Sequence, residues 1–333
     1  MDENHEILIK SADFRASLGI APATMTDLLK KQNVSLVQSG GKSTRFIKSS
    51  DARKLLMNRG FKYPTQAKVI ATMICKGGTG KSTSTYFLAH RMASYGARVL
   101  VIDADPQGNL TVAFNLEEDF GITLDDETPI LLDVMSGMSS LEEVMIEIYP
   151  NLHLVPSTPL NSVLDNTIRD NHKNPSLPLK KAIAPHLMNY DYILIDCAPA
   201  LNLTNTTIVS ASDMVMLPVN PDAFSEMSLN QTLDEIQKIE EDFSLEVEKK
   251  IVFSKFDQRE YASLRYLSSI VEDKKDMMFD TIIRTSADLK NAISKNEDLF
   301  SYGKSTAKED YDNLTKELMK LNLKPQKKKR KSK

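Results

Sequence analysis

The chain has 333 residues, 41% of them hydrophobic and 26% charged, with a formal net charge of -3. These proportions suit one large or two modest folded domains with a sizeable core, and no run of 18 apolar residues exists to span a membrane. Two cysteines, Cys75 and Cys197, exclude a disulfide framework or a cysteine metal site and read as reduced thiols of a cytosolic protein. The charge is unevenly spread. Residues 1–65 hold 11 Lys and Arg against 6 Asp and Glu, residues 324–333 hold seven basic residues and no acid, and the middle is acidic. Basic ends predict contact with a polyanion.

The N-terminus, Met1-Asp2-Glu3-Asn4-His5-Glu6, is acidic where a secretion signal would be basic. Residues 1–64 read as a small separate unit. Ser11 is placed as the N-cap of a first short helix, Leu18-Gly19-Ile20 as a tight turn, and Pro22 to Lys31 as a second helix with Met25, Leu28 and Leu29 on one side. Helix, glycine turn and helix within about 20 residues is the helix-turn-helix pattern. Its second helix would present Thr24, Thr26, Lys30 and Lys31 to a major groove. Val34 to Ile47 reads as a two-stranded wing around Gly40-Gly41, with Lys42, Arg45 and Lys48 near phosphates. A third helix follows over Ala52 to Arg59. The alternative is a three-helix module that serves only dimerisation or packing. Gly60 to Thr65 is read as the linker.

The second domain, 65–323, starts with an apolar run, Val69 to Ile74, followed by Lys76-Gly77-Gly78-Thr79-Gly80-Lys81-Ser82-Thr83 and a helical pattern. Strand, glycine-rich turn and helix are the context of a phosphate-binding loop. The glycines let successive N–H groups point into one concavity, and the helix N-terminus adds its positive end. Lys81 would reach the β- and γ-phosphates and the Ser82 hydroxyl would ligate Mg²⁺. Cys75 stands where the strict motif has its first glycine, and Lys76 is a second lysine inside the turn. Lys76 would touch phosphate in cis, or cross a dimer interface as an arginine finger does.

Further strands are read at 98–103, 152–156, 192–196, 213–219 and 251–254, with residues 115–150 as helix and loop. Amphipathic helical patterns fall at 178–188, 226–241, 262–272 and 306–321. Alternation of strand and helix predicts an α/β fold with a doubly wound, mostly parallel sheet. Two strands end in aspartate, at Asp103-Ala104-Asp105 and at Asp196, in the crevice where ligands of such sheets bind. One carboxylate would hold the Mg²⁺ shell and another would orient water. The five histidines show no ligand spacing. The tail, 324–333, is expected to be disordered, and Lys328 within it is a candidate for sequence-independent contact with nucleic-acid phosphates. It lacks the apolar face of a membrane anchor.

The loop KGGTGKST, the strand-turn DADPQGN and the strand IDCAP together resemble the ParA family of partition ATPases, within the group that includes MinD and the nitrogenase iron protein. The likeness runs over residues 67–321. Asn205 matches a recurrent asparagine, Ser254 to Arg259, with Asp257, resembles the segment near the adenine, and Ile283 to Ser286 also fits. A leading helix-turn-helix unit resembles the larger members. The resemblance implies an ATP- and Mg²⁺-dependent sandwich homodimer that binds DNA without sequence preference. Release would follow hydrolysis stimulated by a ParB-like centromere-binding partner, on the nucleoid and without a membrane. It assigns Lys76 as the cross-subunit lysine, residues Gly77, Gly78, Thr79, Gly80, Lys81, Ser82 and Thr83 to phosphate and Mg²⁺, and Asn205 and Asp257 to the nucleotide. Asp105 would orient the attacking water, and Asp103 and Asp196 would support the metal. Arg284, Lys290 and the tail are further candidates for DNA contact. A nucleoid-based positioning ATPase for a protein cargo and an ATP-sensing transcriptional regulator remain alternatives, as does a MinD-like membrane ATPase.

Overall fold

The apolar runs of the chain's middle become adjacent strands of one sheet. In the computed structural model, which describes residues 6–38, 44–125, 127–295 and 297–321, the strands are β1 Leu8–Lys10, β2 Val37–Gln38, β3 Arg45–Lys48, β4 Lys68–Thr72, β5 Val99–Asp103, β6 Ile146–Tyr149, β7 Leu152–Val155, β8 Tyr192–Asp196, β9 Met214–Val219 and β10 Glu248–Phe253. The main sheet has the order β10-β9-β4-β8-β5-β7-β6. Only the edge pair β6–β7 is antiparallel; the other neighbours are parallel. Every residue of β5, β8 and β9 is buried, as expected of strands covered by helices on both faces. The α/β reading therefore holds, and β6 is a strand inside a stretch read as helix and loop.

Residues 6–58 form a second, three-stranded antiparallel sheet, β1-β3-β2, with helices Ser11–Ser17, Pro22–Lys31 and Ser49–Asn58. β1 was not anticipated from the sequence. Pro22 opens the second helix, where its missing N–H costs nothing. Ser11 is the first helical residue rather than the N-cap, which falls on Lys10. Gly40, Gly41 and Lys42 lie outside the described residues.

This unit has its own sheet but shares a core with the larger domain. Phe14, Leu18, Leu55 and Leu56 belong to one buried cluster with Leu88, Met92, Tyr95, Tyr311 and Leu314. The segment read as a linker is packed: Phe61 and Tyr63 are buried, and the Tyr63 hydroxyl donates to the Tyr95 carbonyl at 2.5 Å. Arg53 stacks on the Tyr63 ring, 3.9 Å from its centroid, and pairs with fully buried Asp191 at 2.6 Å.

The contact closes on Gly96, just beyond the helix Lys81–Ser94. Its φ is +82°, and a Cβ there would lie 2.5 Å from Arg53 Cβ and 2.6 Å from Ser49 O. Backbone sign and space thus both select glycine. We expect Gly96→Ala to cost about 3 kcal/mol, from left-handed strain plus overpacking. Thermal melts should show the loss, and limited proteolysis should cut first within residues 6–63. A melting temperature equal to the parent's would refute this account of the docking.

Candidate functional site

The loop after β4 is built by its glycines. Gly78 has φ +72° and Gly80, which caps the Lys81–Ser94 helix, has φ +92°. The Gly80 carbonyl takes the Ser84 N–H at 2.8 Å, which starts the helix. Thr85 Oγ1 donates to Thr72 Oγ1 at 2.9 Å, tying the helix to the end of β4. Thr79 is fully buried and Lys81 nearly so, its Nζ donating to the Lys76 carbonyl at 3.3 Å. The loop faces a cavity of about 510 Å³ lined by Gly77, Gly80, Lys81, Ser82, Thr83, Asp105 and Asn109. A second cavity of about 490 Å³ shares Gly78, Gly80 and Thr83 with it and extends to Ser254, Lys255, Ile283, Thr285 and Lys290.

Asp103 and Asp196 are direct neighbours, paired across β5 and β8 at the strand ends. Both are fully buried. Their environments differ. Asp103 is satisfied: Oδ2 accepts from Thr111 N at 2.8 Å and Thr111 Oγ1 at 2.7 Å, and Oδ1 from Asp105 N at 3.1 Å. Burial nonetheless pushes its carboxyl up to about 6 against these bonds. Among the described residues, neither oxygen of Asp196 has a partner within hydrogen-bond geometry. Burial, and then the charge of Asp103, push it well above the usual carboxylate range, while Ser82 and Lys81 oppose the shift. A buried carboxylate without donors calls for a cation. Asp105 lines the first cavity, with one oxygen accepting the Gln107 N–H at 3.0 Å.

Lys76 is engaged within its own chain. Its Nζ donates to Asp222 Oδ1 at 2.6 Å, Asp222 Oδ2 at 2.8 Å and Ser225 Oγ at 3.0 Å. Burial pushes the Asp222 carboxyl up, but bonds from Lys76 and Ser225 more than offset this and leave it below its ordinary value. Asp222 also caps the helix Ala223–Phe243 by accepting the Ser225 N–H. Asn205 is buried; its Nδ2 donates to the Ala198 and Ala200 carbonyls and its Oδ1 is unpartnered.

Other candidates lie elsewhere. Asp257 lines neither cavity and pairs with the exposed Arg259, 2.6 Å away. Arg284 is committed to Asp310 at 2.5 Å and Glu309 at 3.2 Å. Lys290 is exposed at the second cavity. Thr24, Thr26, Lys30, Lys31 and Arg45 are all exposed, and Thr26, Lys30 and Arg45 line a groove between the Pro22–Lys31 helix and β2–β3. Lys328 lies outside the described residues. Sequence reasoning missed Thr111, Asp222 and Lys255. Asp222 carried a signal as an aspartate directly before a long helical pattern, and Lys255 stood within the segment Ser254 to Arg259 that the resemblance places near the adenine.

A family model described as an AAA domain matches residues 67–253. The chain belongs to this family. Its named relatives set it in the ParA group of P-loop proteins. Sporulation initiation inhibitor protein Soj of Bacillus subtilis is 28% identical over 262 residues, covering 75% of this chain and 98% of Soj. Chromosome partitioning protein ParA of Myxococcus xanthus is 27% identical over 264 residues, covering 78% of this chain and 90% of that protein. In fold, the ATP complex of a Cyanothece McdA variant superposes with a TM-score of 0.69 at 22% identity, covering 79% of this chain and 100% of McdA. The matched domain thus contains the loop, both buried aspartates and the Lys76–Asp222 pair, while residues 6–66 precede it.

The unpaired carboxylate makes a prediction about the P-loop domain alone. In EDTA and without nucleotide, Asp196→Asn is expected to gain about 1 kcal/mol of stability, because it removes a carboxyl whose ionisation is opposed by burial and by facing Asp103. A lower melting temperature than the parent's would mean that the carboxylate already has a protein partner.

Proposed function

We propose that the protein is a DNA-partition ATPase. Its ATP-bound dimer would hold DNA without regard to sequence and release it after hydrolysis, stimulated by a ParB-like centromere-binding protein. One observation carries this reading: a phosphate loop with two lysines opens onto a cavity lined by Lys81, Ser82 and Asp105, and Ser82 and Lys81 also act on the buried Asp196 carboxyl behind it. Phosphoryl transfer asks for positioning and charge compensation, not a covalent group, and these residues offer both.

The N–H groups of Gly77 to Gly80 and the start of the Lys81–Ser94 helix would cradle the β- and γ-phosphates of ATP, with Lys81 on their oxygens. Ser82 and Asp196 would hold Mg²⁺. One hydroxyl and one carboxylate suit an ion that keeps most of its coordination for water and phosphate. Asp103 is spent on Thr111 and supports the site by anchoring that turn. When bound, Mg²⁺ neutralises phosphate oxygens. Asp105 would orient the attacking water.

Lys76 would be the residue that links turnover to pairing. In one protomer its ammonium is spent on Asp222 and Ser225. It reaches the phosphates of a second copy only by exchanging those partners. The N-terminal unit fits a winged helix-turn-helix module, with Thr24, Thr26, Lys30, Lys31 and Arg45 toward an operator duplex. Lys290 and the basic tail are the stronger candidates for nonspecific DNA contact, since Arg284 is already paired. No helix of the described residues is long and apolar enough to cross a membrane, and we place the protein in the cytoplasm on the nucleoid.

Turnover tests this directly. Lys76→Ala should bind ATP normally but lose about a thousandfold in hydrolysis, the scale of a missing trans cation. Full activity in that variant, or turnover per protomer that does not fall on dilution, would refute the pairing mechanism. Asp105→Ala should bind ATP and stay on random-sequence DNA; release from DNA at the parent's rate would remove its assigned role.

A further inference from the structure

Gly78 carries a contact that the phosphate-loop motif does not include. Its carbonyl accepts from Lys255 Nζ at 2.5 Å and from Asn220 Nδ2 at 3.4 Å. Lys255 is 177 positions away, in the turn after β10, and lines the second cavity. Its backbone φ is +54°, in the left-handed region that a lysine rarely adopts. The flanking residues hold it there: Ser254 N donates to Val219 O at 2.8 Å, and Phe256 N to Ile283 O at 3.0 Å. A non-glycine residue kept in this region by its surroundings points to a functional placement. Stability gives little reason for it, since the side chain is exposed and immobilising a lysine costs rotamer entropy.

The physical consequence follows from peptide geometry. The Gly78–Thr79 peptide is planar and trans, so the Gly78 C=O and the Thr79 N–H point in opposite directions. Gly78 sits at φ +72°, where a glycine can rotate between wells at little cost. Without an external hold, this peptide is the unit of the loop freest to flip. Lys255 and Asn220 pull its oxygen to one side, which turns the Thr79 N–H to the other.

We propose that Lys255 is a positioning residue of the phosphate loop: by holding the Gly78 carbonyl it orients the Thr79 N–H as a phosphate donor. The inference rests on the ATPase reading. It assigns Lys255 to the polyphosphate half of the ligand through the loop, although the residue lies in the cavity that reaches past it. Asn220 is its lesser partner on the same oxygen.

The test uses the full chain with Lys255→Met, Lys255→Gly, Lys255→Arg, Asn220→Ala and the Lys255→Met/Asn220→Ala double variant. Inorganic tripolyphosphate, ATP and adenosine are titrated as competitors of a fluorescent nucleotide. Met and Gly should weaken tripolyphosphate and ATP about tenfold, the scale of a lost charge-assisted hydrogen bond. Gly also relieves the backbone, so equal losses in the two variants identify the ammonium as the cause. Arg should restore affinity to within about twofold. Adenosine should bind all variants alike. The Asn220→Ala and Lys255→Met effects should be non-additive, because both act on one carbonyl. Unchanged tripolyphosphate affinity in Lys255→Met, an equal loss for adenosine, or strict additivity (the mark of a direct phosphate contact) would each overturn the proposal. If the parent binds neither ATP nor tripolyphosphate, the ATPase reading falls and this one with it.

Discussion

Two carboxylates buried side by side at the ends of β5 and β8 constrain everything around them. A parallel sheet covered on both faces gives Asp103 and Asp196 no water, and the register makes them neighbours. Such a pair is unfavourable unless donors or cations answer it. Thr111 answers Asp103 with two bonds, and that fixes the turn after β5 which carries Asp105 and Asn109 to the cavity. Among the described residues, no group stands within hydrogen-bond geometry of either carboxylate oxygen of Asp196. The asymmetry sorts the roles of two residues that look alike in sequence. One carboxylate shapes the loop, and the other is the one the proposed site leaves for a cation.

The helix Lys81–Ser94 carries the loop's position to the far side of the molecule. Over about 21 Å it runs from the loop to Tyr95 and Gly96. There Tyr95 is a hub. Its hydroxyl contacts Ser17 at 2.5 Å, Asp312 at 2.6 Å and Arg91 at 3.3 Å, while its carbonyl takes Tyr63. Arg91 is fully buried and balanced by Asp312 at 2.6 Å. Lys308 pairs with Asp13 at 2.8 Å, and Lys10 donates to the Ser301 and Tyr302 carbonyls. The N-terminal unit is therefore attached by buried charge as well as by apolar area. Truncating one partner of such a network leaves another charge uncompensated, and this costs more than the contact itself contributes. Cutting the chain near residue 64 would expose that cost.

How much of this was legible follows from how local each signal is. The phosphate loop and the apolar strands around it are contiguous in sequence, and each is specified by its own residues, so they could be read directly. The doubly wound sheet followed from alternation alone. The edge strand β6 was hidden because Ile146-Glu147-Ile148-Tyr149 is four residues long and follows an acidic stretch. β1, of three residues, has too short a pattern to register a period. The shared core was unreadable for a different reason. Gly96, Arg53 and Asp191 are far apart in the chain, and glycine after a helix reads as an ordinary stop signal. The partners of Lys76 and Gly78 were missed on the same ground, being 146 and 177 positions distant. Asp257 shows what the sequence could not show, its pairing within the protomer. A motif position suggests a ligand contact, and in the protomer its carboxylate pairs with the arginine two residues later.

Three lysines ring the loop, and each has a protein acceptor in the isolated protomer. Lys76 is on Asp222, Lys81 on the Lys76 carbonyl, and Lys255 on the Gly78 carbonyl. Binding a polyphosphate is then largely an exchange of acceptors rather than a gain of new bonds, and the net value of each contact is modest. The Lys76–Asp222 pair is partly exposed, with side-chain exposures of 25% and 39%, so it stabilises the resting protomer by no more than about 1 kcal/mol. In the proposed dimer, a phosphate oxygen from a second copy would need only a small advantage to win Lys76. Lys255 differs, because its acceptor belongs to the loop's own backbone. Its bond holds the loop in shape before a ligand arrives and need not be given up when one binds. Under the proposed mechanism, the arrangement would separate a cation that changes partners from one that does not, which is what a pairing-dependent switch on a preformed loop requires.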